Sequence, residues 1–262
     1  MDFSKQLSQQ QILIYQYDNK GISLTVKENE QFRWFEYGGS EVQSLMNKER
    51  PEQIILPVYQ SLLLFLLLDN NFFANQPRQL LNLGLGGASI ERALATISDL
   101  HISSVESSLN IVEMAKKYFK VPAQVKIVAQ TAEHFIEQTD VLYDVVLCDL
   151  FIDGKSADCI FNGSFYSHLC QITATNATLM INLQANNNEQ LIQLLLIIKR
   201  YFPYIALNEF DDYKNIVMLA SKQTLPPHQA LIERFEGLKQ SGLLCFQHLN
   251  LQKIINRLKY IP

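Results

Sequence analysis

The sequence predicts an α/β protein in which a small antiparallel β unit precedes a larger, mainly parallel sheet. Residues 12–46 carry β-branched and aromatic clusters in ILIYQY, GISLTVKE and FRWFEYGG, which turn-forming Asn and Gly residues separate. From residue 78 onward, apolar strand-like runs alternate with segments of helical periodicity. Strands that helices connect form a parallel sheet, because such crossover connections are right-handed.

The second part of the chain has a regular order of predicted elements. It begins with a helix over residues 51–68 and ends with an amphipathic helical tail over residues 226–262, packed on the body of the protein. Between them, strands are predicted at QLLNLGL, HISSVE, QVKIVAQ, YDVVLCDL and TLMINL and near residues 205–210 and 216–220, and helices at residues 88–97, 110–119, 132–138, 164–173 and 189–201, with a loop at 151–163. We expect an N-terminal β domain over residues 1–50 and a larger domain over residues 51–262.

Composition and charge narrow the classes of function. Of 262 residues, 48% are hydrophobic and 18% are charged, which is typical of a globular protein. The net charge of -4 and the lack of a basic run argue against nucleic acid as a partner. The polar start of the chain does not resemble a signal peptide, and the most apolar window, residues 56–68, is too short to span a membrane. The four cysteines form no CxxC pair and the five histidines are scattered, so we expect reduced thiols, a cytoplasmic location and no metal.

Three glycines lie in the turn between the first strand of the alternating region and its helix, in the stretch GLGGAS over residues 84–89. Glycine lets a backbone approach a ligand closely, and the helix that follows offers unpaired N–H groups. The stretch matches the dinucleotide fingerprint GxGxxG only in part, because Ser89 stands where the third glycine belongs. The turn is therefore predicted either to hold a nucleotide-like ligand or to serve only as a strand–helix connection, and a dehydrogenase is disfavoured.

Two carboxylates follow strands of the same predicted sheet. Glu106 ends HISSVE, twenty residues after Gly86, where a carboxylate can accept hydrogen bonds from the hydroxyls of an adenosine ribose. Asp149 leaves the apolar run YDVVLCDL at the carboxyl edge of the fourth strand of the series, where a partly desolvated acid can bind a cation or accept a proton. The alternatives are a surface Glu and a turn-capping Asp. Glu106 and Asp149 are expected at the same sheet edge as the glycine loop, which favours a single crevice that binds one ligand.

At these residues the sequence resembles the spermidine synthase (polyamine aminopropyltransferase) family, and most closely the bacterial spermidine synthase-like proteins. The resemblance runs from about residue 12 to residue 222 and includes RWFEYGGSEVQSLM, PEQIILPVYQSLL, LLNLGLGGASIERAL, VESSLNIVEMAKKYF, TAEHFI, YDVVLCDLF and FNGSFYSHL. It implies the Rossmann-like class I S-adenosylmethionine-dependent methyltransferase fold with a small N-terminal antiparallel β domain.

The resemblance also assigns roles to residues of this sequence. It implies that the glycine loop holds the methionine-derived end of decarboxylated S-adenosylmethionine, and that Glu106 holds the ribose. It implies that Asp149 is the catalytic residue, which helps to bind the attacking amine and removes its proton. The residues expected to bind the donor are Gly84, Leu85, Gly86, Gly87, Glu106, Ser107, Thr131, Ala132 and Gln10. The residues expected at the amine substrate are Asp149, Asp153 and Tyr166.

The sequence departs from the family pattern at three places. Gly87 stands where the family's GGGDGG has an Asp that grips the aminopropyl end of the donor, and Thr131 replaces an acid that reads the adenine amino group. The family's Tyr, which is followed by His or Gln and then Glu, is expected near the end of the β domain, where this sequence reads Arg50-Pro51-Glu52. The missing side chain at Gly87 is expected to leave more room beside the methionine end, which fits a donor that keeps its carboxylate.

The resemblance implies an enzyme of polyamine biosynthesis that transfers an aminopropyl group from decarboxylated S-adenosylmethionine to an amine, with methylthioadenosine as the product. The alternatives are an S-adenosylmethionine-dependent methyltransferase, with S-adenosylhomocysteine as the product, and a non-catalytic homologue that binds an adenosyl compound. Donor preference separates the first two, and failure to bind any adenosyl compound favours a protein without turnover. A small amine is the expected partner, with neither nucleic acid nor membrane, and a homodimer is the expected assembly.

Overall fold

The computed structural model describes residues 7, 10–19, 22–38, 42–69, 72, 76–152, 154–242 and 249–262. Within them the chain forms a four-stranded sheet near the N-terminus and an eight-stranded central sheet. The predicted domain boundary between residues 50 and 51 lies in the connection between these two sheets.

The N-terminal sheet is antiparallel and contains one strand more than predicted. Its strands, in spatial order, are β1 (Ile12–Asn19), β2 (Ile22–Glu28), β3 (Phe32–Tyr37) and β4 (Val42–Asn47). The sequence pattern misses β4 because its last four residues are buried in succession, so hydrophobic and polar residues do not alternate. Consecutive burial means that both faces of β4 are covered.

The predicted helix over residues 51–68 is wrong in its first turns. Helix α1 (Pro57–Leu62) begins only at Pro57 and continues as a 3-10 helix over Leu63–Leu67. Leu56 is extended, with φ −76° and ψ 129°, because the residue before a proline avoids the helical region. The buried leucines of this segment form the core beneath the central sheet.

Five parallel strands form the larger part of the central sheet: β5 (Arg78–Leu83), β6 (Leu100–Glu106), β7 (Lys126–Ala129), β8 (Tyr143–Cys148) and β11 (Thr173–Leu183). They lie in the order β7-β6-β5-β8-β11, so the direction of strand order reverses between β5 and β8. Ligands of open α/β sheets bind at the carboxyl ends of the strands beside such a switch point. The prediction of a mainly parallel sheet is confirmed.

Helices connect these strands close to their predicted positions: α2 (Ser89–Leu94), α3 (Leu109–Tyr118), α4 (Ala132–Gln138), α5 (Gly163–Gln171) and α6 (Asn188–Ile198). Helix α2 is shorter than predicted at both ends, and it begins after Ala88, whose φ of 55° is left-handed. The predicted loop at 151–163 instead contains a small hairpin, β9 (Phe151–Ile152) and β10 (Lys155–Ser156), and a 3-10 helix at Asp158–Phe161.

The last strands extend the sheet in antiparallel fashion. They are β12 (Tyr204–Glu209), β13 (Ile216–Ser221) and β14 (Lys259–Ile261), in the order β11-β13-β12-β14. The tail contains α7 (His228–Gln240) and α8 (Leu251–Asn256), which pack on the body as predicted. The prediction that the tail is entirely helical is wrong at β14, because a three-residue strand carries too little periodicity to be recognised.

Helices cover both faces of the central sheet. Helices α1, α2, α7 and α8 pack on one face, and α4, α5 and α6 pack on the other. The N-terminal sheet packs on the end of α3 through Phe35 and Phe119, whose rings are 5.9 Å apart. In the described part of the chain, no helix combines the length and the apolar character that a membrane crossing requires.

Candidate active site

The glycine loop connects β5 to α2 and lies against the end of β8. A Cβ atom at Gly84 would stand 2.3 Å from the backbone carbonyl oxygen of Asp149, and the φ of Gly84 is +102°. The Gly84 amide donates a hydrogen bond to the carbonyl of Val105 at 2.8 Å. A positive φ and a close backbone approach together require glycine here. The loop is thereby held between the carboxyl ends of β6 and β8.

Glu106 is the buried carboxylate at the end of β6. Its Oε2 accepts a hydrogen bond from the Leu85 amide at 3.3 Å, and its Oε1 accepts one from the Ser108 amide at 2.9 Å. Each carboxylate oxygen can accept a second hydrogen bond. Glu106 is therefore tied to the glycine loop while it keeps acceptor capacity for a pair of hydroxyls, such as those of a ribose.

Asp149 follows β8 directly and is partly buried. Asn182 donates from Nδ2 to Asp149 Oδ1 at 2.7 Å, and the Tyr59 hydroxyl lies beside this carboxylate. Burial raises the pKa of Asp149 to about 6, the charge of Glu106 adds to the increase, and the hydrogen bond from Asn182 and the neighbouring Tyr59 hydroxyl oppose it. A carboxyl group with this pKa is mostly ionised at neutral pH and accepts a proton more readily than an ordinary Asp, which suits a general base.

Tyr59, on α1, belongs to the site although the sequence pattern does not indicate it. Its hydroxyl donates to the backbone carbonyl of Gln43 at 3.1 Å, in addition to its contact with Asp149. Burial raises the pKa of Tyr59 well above its ordinary value, and the neighbouring charge of Asp149 adds to the increase. Tyr59 therefore keeps its proton and acts as a donor.

A second carboxylate, Glu91 on α2, is fully buried below the loop. Its Oε1 accepts hydrogen bonds from Asn82 Nδ2 and from Ser104 Oγ, both at 2.6 Å. Burial raises the pKa of Glu91, and these hydrogen bonds oppose the increase. Glu91, Asn82, Tyr59 and Asp149 line one small cavity beneath the loop. A lone Glu in an amphipathic helix suggests solvent exposure, which is why sequence reasoning misses Glu91.

The N-terminal sheet covers part of the glycine loop. A Cβ atom at Gly87 would stand 2.4 Å from Ser44 Oγ and 3.3 Å from the Phe119 ring. The expectation that Gly87 leaves extra room beside the donor is therefore wrong, because Ser44 and Phe119 take that space. At Gly86 the nearest atoms to such a Cβ belong to Phe35, at 4.0 Å, so this side of the loop is open to a ligand.

Two curated proteins from one genus resemble this sequence over part of its length. No family model matches the chain. The polyamine aminopropyltransferases of Neisseria meningitidis serogroup A and serogroup B are each 24% identical to it over 145 residues, which is 54% of this chain and 54% of the relative. The match thus spans about half the length of these curated relatives.

Solved structures resemble a larger part of the chain. A probable spermidine synthase from Corynebacterium glutamicum has a TM-score of 0.70 at 15% identity, covering 85% of this chain and 87% of its own. A spermidine synthase in complex with the transition-state analogue AdoDATO has a TM-score of 0.63 at 15% identity, covering 95% and 84%. The resemblance to the spermidine synthase family is confirmed. Human methyltransferase-like protein 13 in complex with SAH has a TM-score of 0.62 at 19% identity, covering 75% and 95%, so the Rossmann-like class I fold is confirmed as well.

A second stretch of the sequence also has a tyrosine followed by glutamine, at Tyr59-Gln60-Ser61. The signal is present in LPVYQSLL, but an apolar run dominated by leucine indicates only a core helix. In the structure Tyr59 and Asp149 line the same small cavity.

The other residues predicted to bind the donor lie along the same sheet edge or at the start of the chain. Thr131 caps α4, with Oγ1 accepting from the His134 amide at 3.3 Å, and the buried Ala132 follows it. Ser107 is exposed directly after the carboxylate of β6. Gln10 is exposed before β1, and no hydrogen bond among the described residues joins it to the glycine loop. Their roles toward a donor stay predictions.

Tyr166, one of the residues predicted at the amine substrate, has its side chain in the core rather than free to bind a substrate. The side chain of Tyr166 is fully buried on the inner side of α5, and its hydroxyl donates to the Ile160 carbonyl at 2.7 Å. Tyr166 therefore serves the core that covers the second face of the sheet. Asp153 lies outside the described residues.

The residues that the structure assembles fit an adenosyl compound at its ribose, because Glu106 retains acceptor capacity beside the open side of Gly86. In the ranges that the structure describes, no group of three or more His, Cys, Asp or Glu side chains could hold a metal ion. Cys148, Cys159 and Cys170 are free thiols, and Cys245 lies outside the described ranges.

Proposed function

We propose that the chain is a spermidine synthase-like transferase, which moves an aminopropyl group from decarboxylated S-adenosylmethionine to an amine acceptor. One observation carries the proposal: Asp149, with a pKa of about 6, contacts the Tyr59 hydroxyl beside the glycine loop. A base of this kind answers the main chemical requirement of amine alkylation, since aliphatic amines are protonated near neutral pH.

The proposed donor site uses the edge of β5 and β6. Glu106 accepts the ribose hydroxyls, and Gly86 lets the sulfonium end approach the backbone. Ser107, Thr131 and Ala132 lie after the neighbouring strands, where the adenine extends. The donor binds here as a substrate, and the chain supplies only its orientation and the charge that faces it.

The proposed chemistry is a displacement at the carbon next to the sulfonium. Asp149 binds the acceptor ammonium and takes one proton from it, while Tyr59 holds the carboxylate through its hydroxyl. The nitrogen lone pair then forms the new C–N bond, and the electrons of the breaking C–S bond go to sulfur. The products are methylthioadenosine, a neutral thioether that leaves without an acid, and a secondary ammonium ion. In-line placement of the two substrates supplies much of the rate.

The proposal is tested with an aminopropyl-transfer assay on the whole chain. We expect Asp149→Asn to lower kcat/KM by about 10²–10⁴-fold, because it removes the base. In the wild type, kcat/KM should fall as the pH drops below about 6, since Asp149 is then protonated. Asp140→Asn is the matched control, because Asp140 is exposed and lies before β8, away from its carboxyl edge. Undiminished activity of Asp149→Asn would exclude the proposed base.

A methyltransferase is the second candidate function. The likeness to human methyltransferase-like protein 13 in complex with SAH covers 95% of that chain, and Gly87 has no carboxylate to hold an aminopropyl amine. Calorimetry with decarboxylated S-adenosylmethionine, S-adenosylmethionine and methylthioadenosine, each repeated with Glu106→Gln, separates the two. Preference for the decarboxylated donor supports aminopropyl transfer, and preference for the carboxylated donor supports methyl transfer.

A protein that binds an adenosyl compound without turnover is the third candidate. Binding that Glu106→Gln abolishes, with no product from either donor, would identify it. The homodimer and the cytoplasmic location stay predictions from the resemblance. Light scattering of the purified chain measures the first, and fluorescence microscopy of a tagged chain in the source cell measures the second.

A further inference from the structure

A small cavity lies beneath the glycine loop, between α1, α2 and the carboxyl ends of β5 and β8. It encloses about 10 Å³, close to the smallest volume that holds one water-sized group. Tyr59, Asn82, Glu91 and Asp149 line it together with the loop. The cavity therefore has polar walls and room for one small group.

Two acceptors on these walls have no partner among the described residues. They are Glu91 Oε2 and Asn82 Oδ1, and both side chains are at least nine-tenths buried, with exposures of 0% and 2%. Their other atoms are fully used, because Asn82 Nδ2 donates both to Glu91 Oε1 and to the Gly84 carbonyl. A buried acceptor without a donor is costly, so such positions in a cavity wall indicate a ligand.

The charge around the cavity is negative. Glu91 and Asp149 are the two carboxylates, and no lysine or arginine stands among the described residues that line it. Arg92, the next residue on α2, does not line the cavity, but its guanidinium donates to two groups that do, the carbonyl of Gly87 and Ser89 Oγ. Its charge offsets that of one carboxylate, and a cation in the cavity would balance the other.

We propose that this cavity binds the primary ammonium group of a bound substrate, and that Glu91 is the carboxylate which selects it. The proposal deepens the proposed function and rests on it. An ammonium group is water-sized and has three N–H donors. Glu91 Oε2, Asn82 Oδ1 and the carboxylate of Asp149 are three acceptors on the cavity wall. A hydroxyl or methyl group would leave acceptors unpaired and the charge unbalanced.

The ammonium can come from either substrate of the proposed reaction. Decarboxylated S-adenosylmethionine ends in a primary amine, and the acceptor carries at least one. Methylthioadenosine lacks that amine but keeps the adenosine and the thioether. Comparing the affinities for the two adenosyl compounds therefore measures the contribution of the donor's ammonium group to binding. The affinity for a diamine in the presence of methylthioadenosine measures the contribution of the acceptor's ammonium group.

The test is calorimetry of the whole chain with these probes, comparing wild type with Glu91→Gln. Glutamine has the shape of glutamate without its charge. If the donor's amine occupies the cavity, Glu91→Gln lowers the affinity for decarboxylated S-adenosylmethionine by about tenfold or more and leaves the affinity for methylthioadenosine unchanged. If the acceptor's amine occupies the cavity, Glu91→Gln lowers the affinity for 1,4-diaminobutane by a similar factor in the presence of methylthioadenosine. The affinity for decarboxylated S-adenosylmethionine then stays the same. Glu113→Gln, an exposed substitution on α3, is the control and should change neither.

Equal affinities of wild type and Glu91→Gln for both amines would overturn the proposal. Unchanged binding of methylthioadenosine shows that the variant is folded. If Glu91→Gln does not fold, Glu91→Asp replaces it, since it keeps the charge but withdraws the carboxylate by one methylene, and the same loss is expected. A wild type that binds no adenosyl compound refutes the proposed function. In that case loss of diamine binding in Glu91→Gln still supports the cavity, and absence of any binding rejects both.

Discussion

Asp149 is held in a state that favours its chemistry over the stability of the fold. Burial raises its pKa from 3.8 to about 6, so the folded state binds the proton more tightly than the unfolded chain does. Ionisation of Asp149 therefore destabilises the fold progressively as the pH rises from about 4 to about 6, and the full penalty persists above that range. Such a penalty is common where a site residue is placed for reaction.

Asp149→Asn should consequently stabilise the protein while it removes the proposed base. We expect the free energy of unfolding at pH 7.5 to increase by about 1–3 kcal/mol, because the buried charge is gone. Urea denaturation at pH 7.5 and pH 4 measures it, and the gain should nearly vanish at pH 4. A gain of equal size at both pH values would mean that burial of the charge is not its cause.

At the scale of single residues, sequence reasoning finds groups whose position follows from the backbone. Asp149 and Glu106 end strands of a parallel sheet, and strand ends meet at one edge whatever the details of packing. Sequence reasoning does not find Tyr59 and Glu91, because their roles depend on which faces of α1 and α2 turn toward the sheet. Tyr166 shows the opposite error, because nearness in sequence to Asp149 does not bring its side chain to the site.

At the scale of elements, the turn from β5 to α2 depends on glycine for different reasons at different positions. Gly84→Ala should cost at least about 3 kcal/mol, because its Cβ would collide with the backbone of β8. Gly86 has a φ of +50°, but an added Cβ would meet open space. Gly86→Ala should therefore lower the free energy of unfolding by about 1–2 kcal/mol. Gly237→Ala, in the middle of α7 with no atom within 4 Å, should stabilise by about 0.5–1 kcal/mol. Chemical denaturation of the three variants measures this order, and equal effects at Gly84 and Gly86 would contradict the close contact with β8.

Among the elements, periodicity predicts those whose burial alternates or repeats with the helical turn. The strands from β5 to β8 and the helices between them follow such patterns, and their order fixes the sheet edge on which the site lies. The strand β4 does not alternate, because the central domain covers its outer face, and β14 is too short to have a pattern. Both depend on contacts with residues distant in sequence, which a local pattern does not contain.

At the scale of the whole molecule, the buried Arg92 ties the connection that follows the N-terminal sheet to the central domain at the site. The Arg92 guanidinium donates to the carbonyl of Pro51 in the connection, to that of Gly87 in the glycine loop, and to that of Phe119 at the end of α3. Its burial lowers the pKa of Arg92 to about 10, so it stays charged at neutral pH. Ser44 of β4 adds a hydroxyl contact to Ser89 at 3.0 Å. The N-terminal sheet is therefore expected to unfold together with the central sheet.

The single tryptophan makes this expectation measurable, because Trp34 is buried in β3 and reports on the N-terminal sheet alone. Far-UV circular dichroism at 222 nm follows the helices that cover the central sheet. In urea the two signals should change with the same midpoint, since a cooperative unit has one transition. Arg92→Lys should lower that shared midpoint, with a loss of about 3 kcal/mol or more, because an ammonium cannot bridge three carbonyls in the fork geometry of a guanidinium.

Arg257→Lys is the matched control for that substitution. Arg257 pairs with the exposed Asp211 on the surface, where a change from guanidinium to ammonium costs less than about 1 kcal/mol. A fluorescence transition of Arg92→Lys that separates from the dichroism transition would show that Arg92 is the main link between the sheets. Two separate transitions already in the wild type would show that the sheets are independent units, and the glycine loop would then lose its cover from β4 whenever the N-terminal sheet opens.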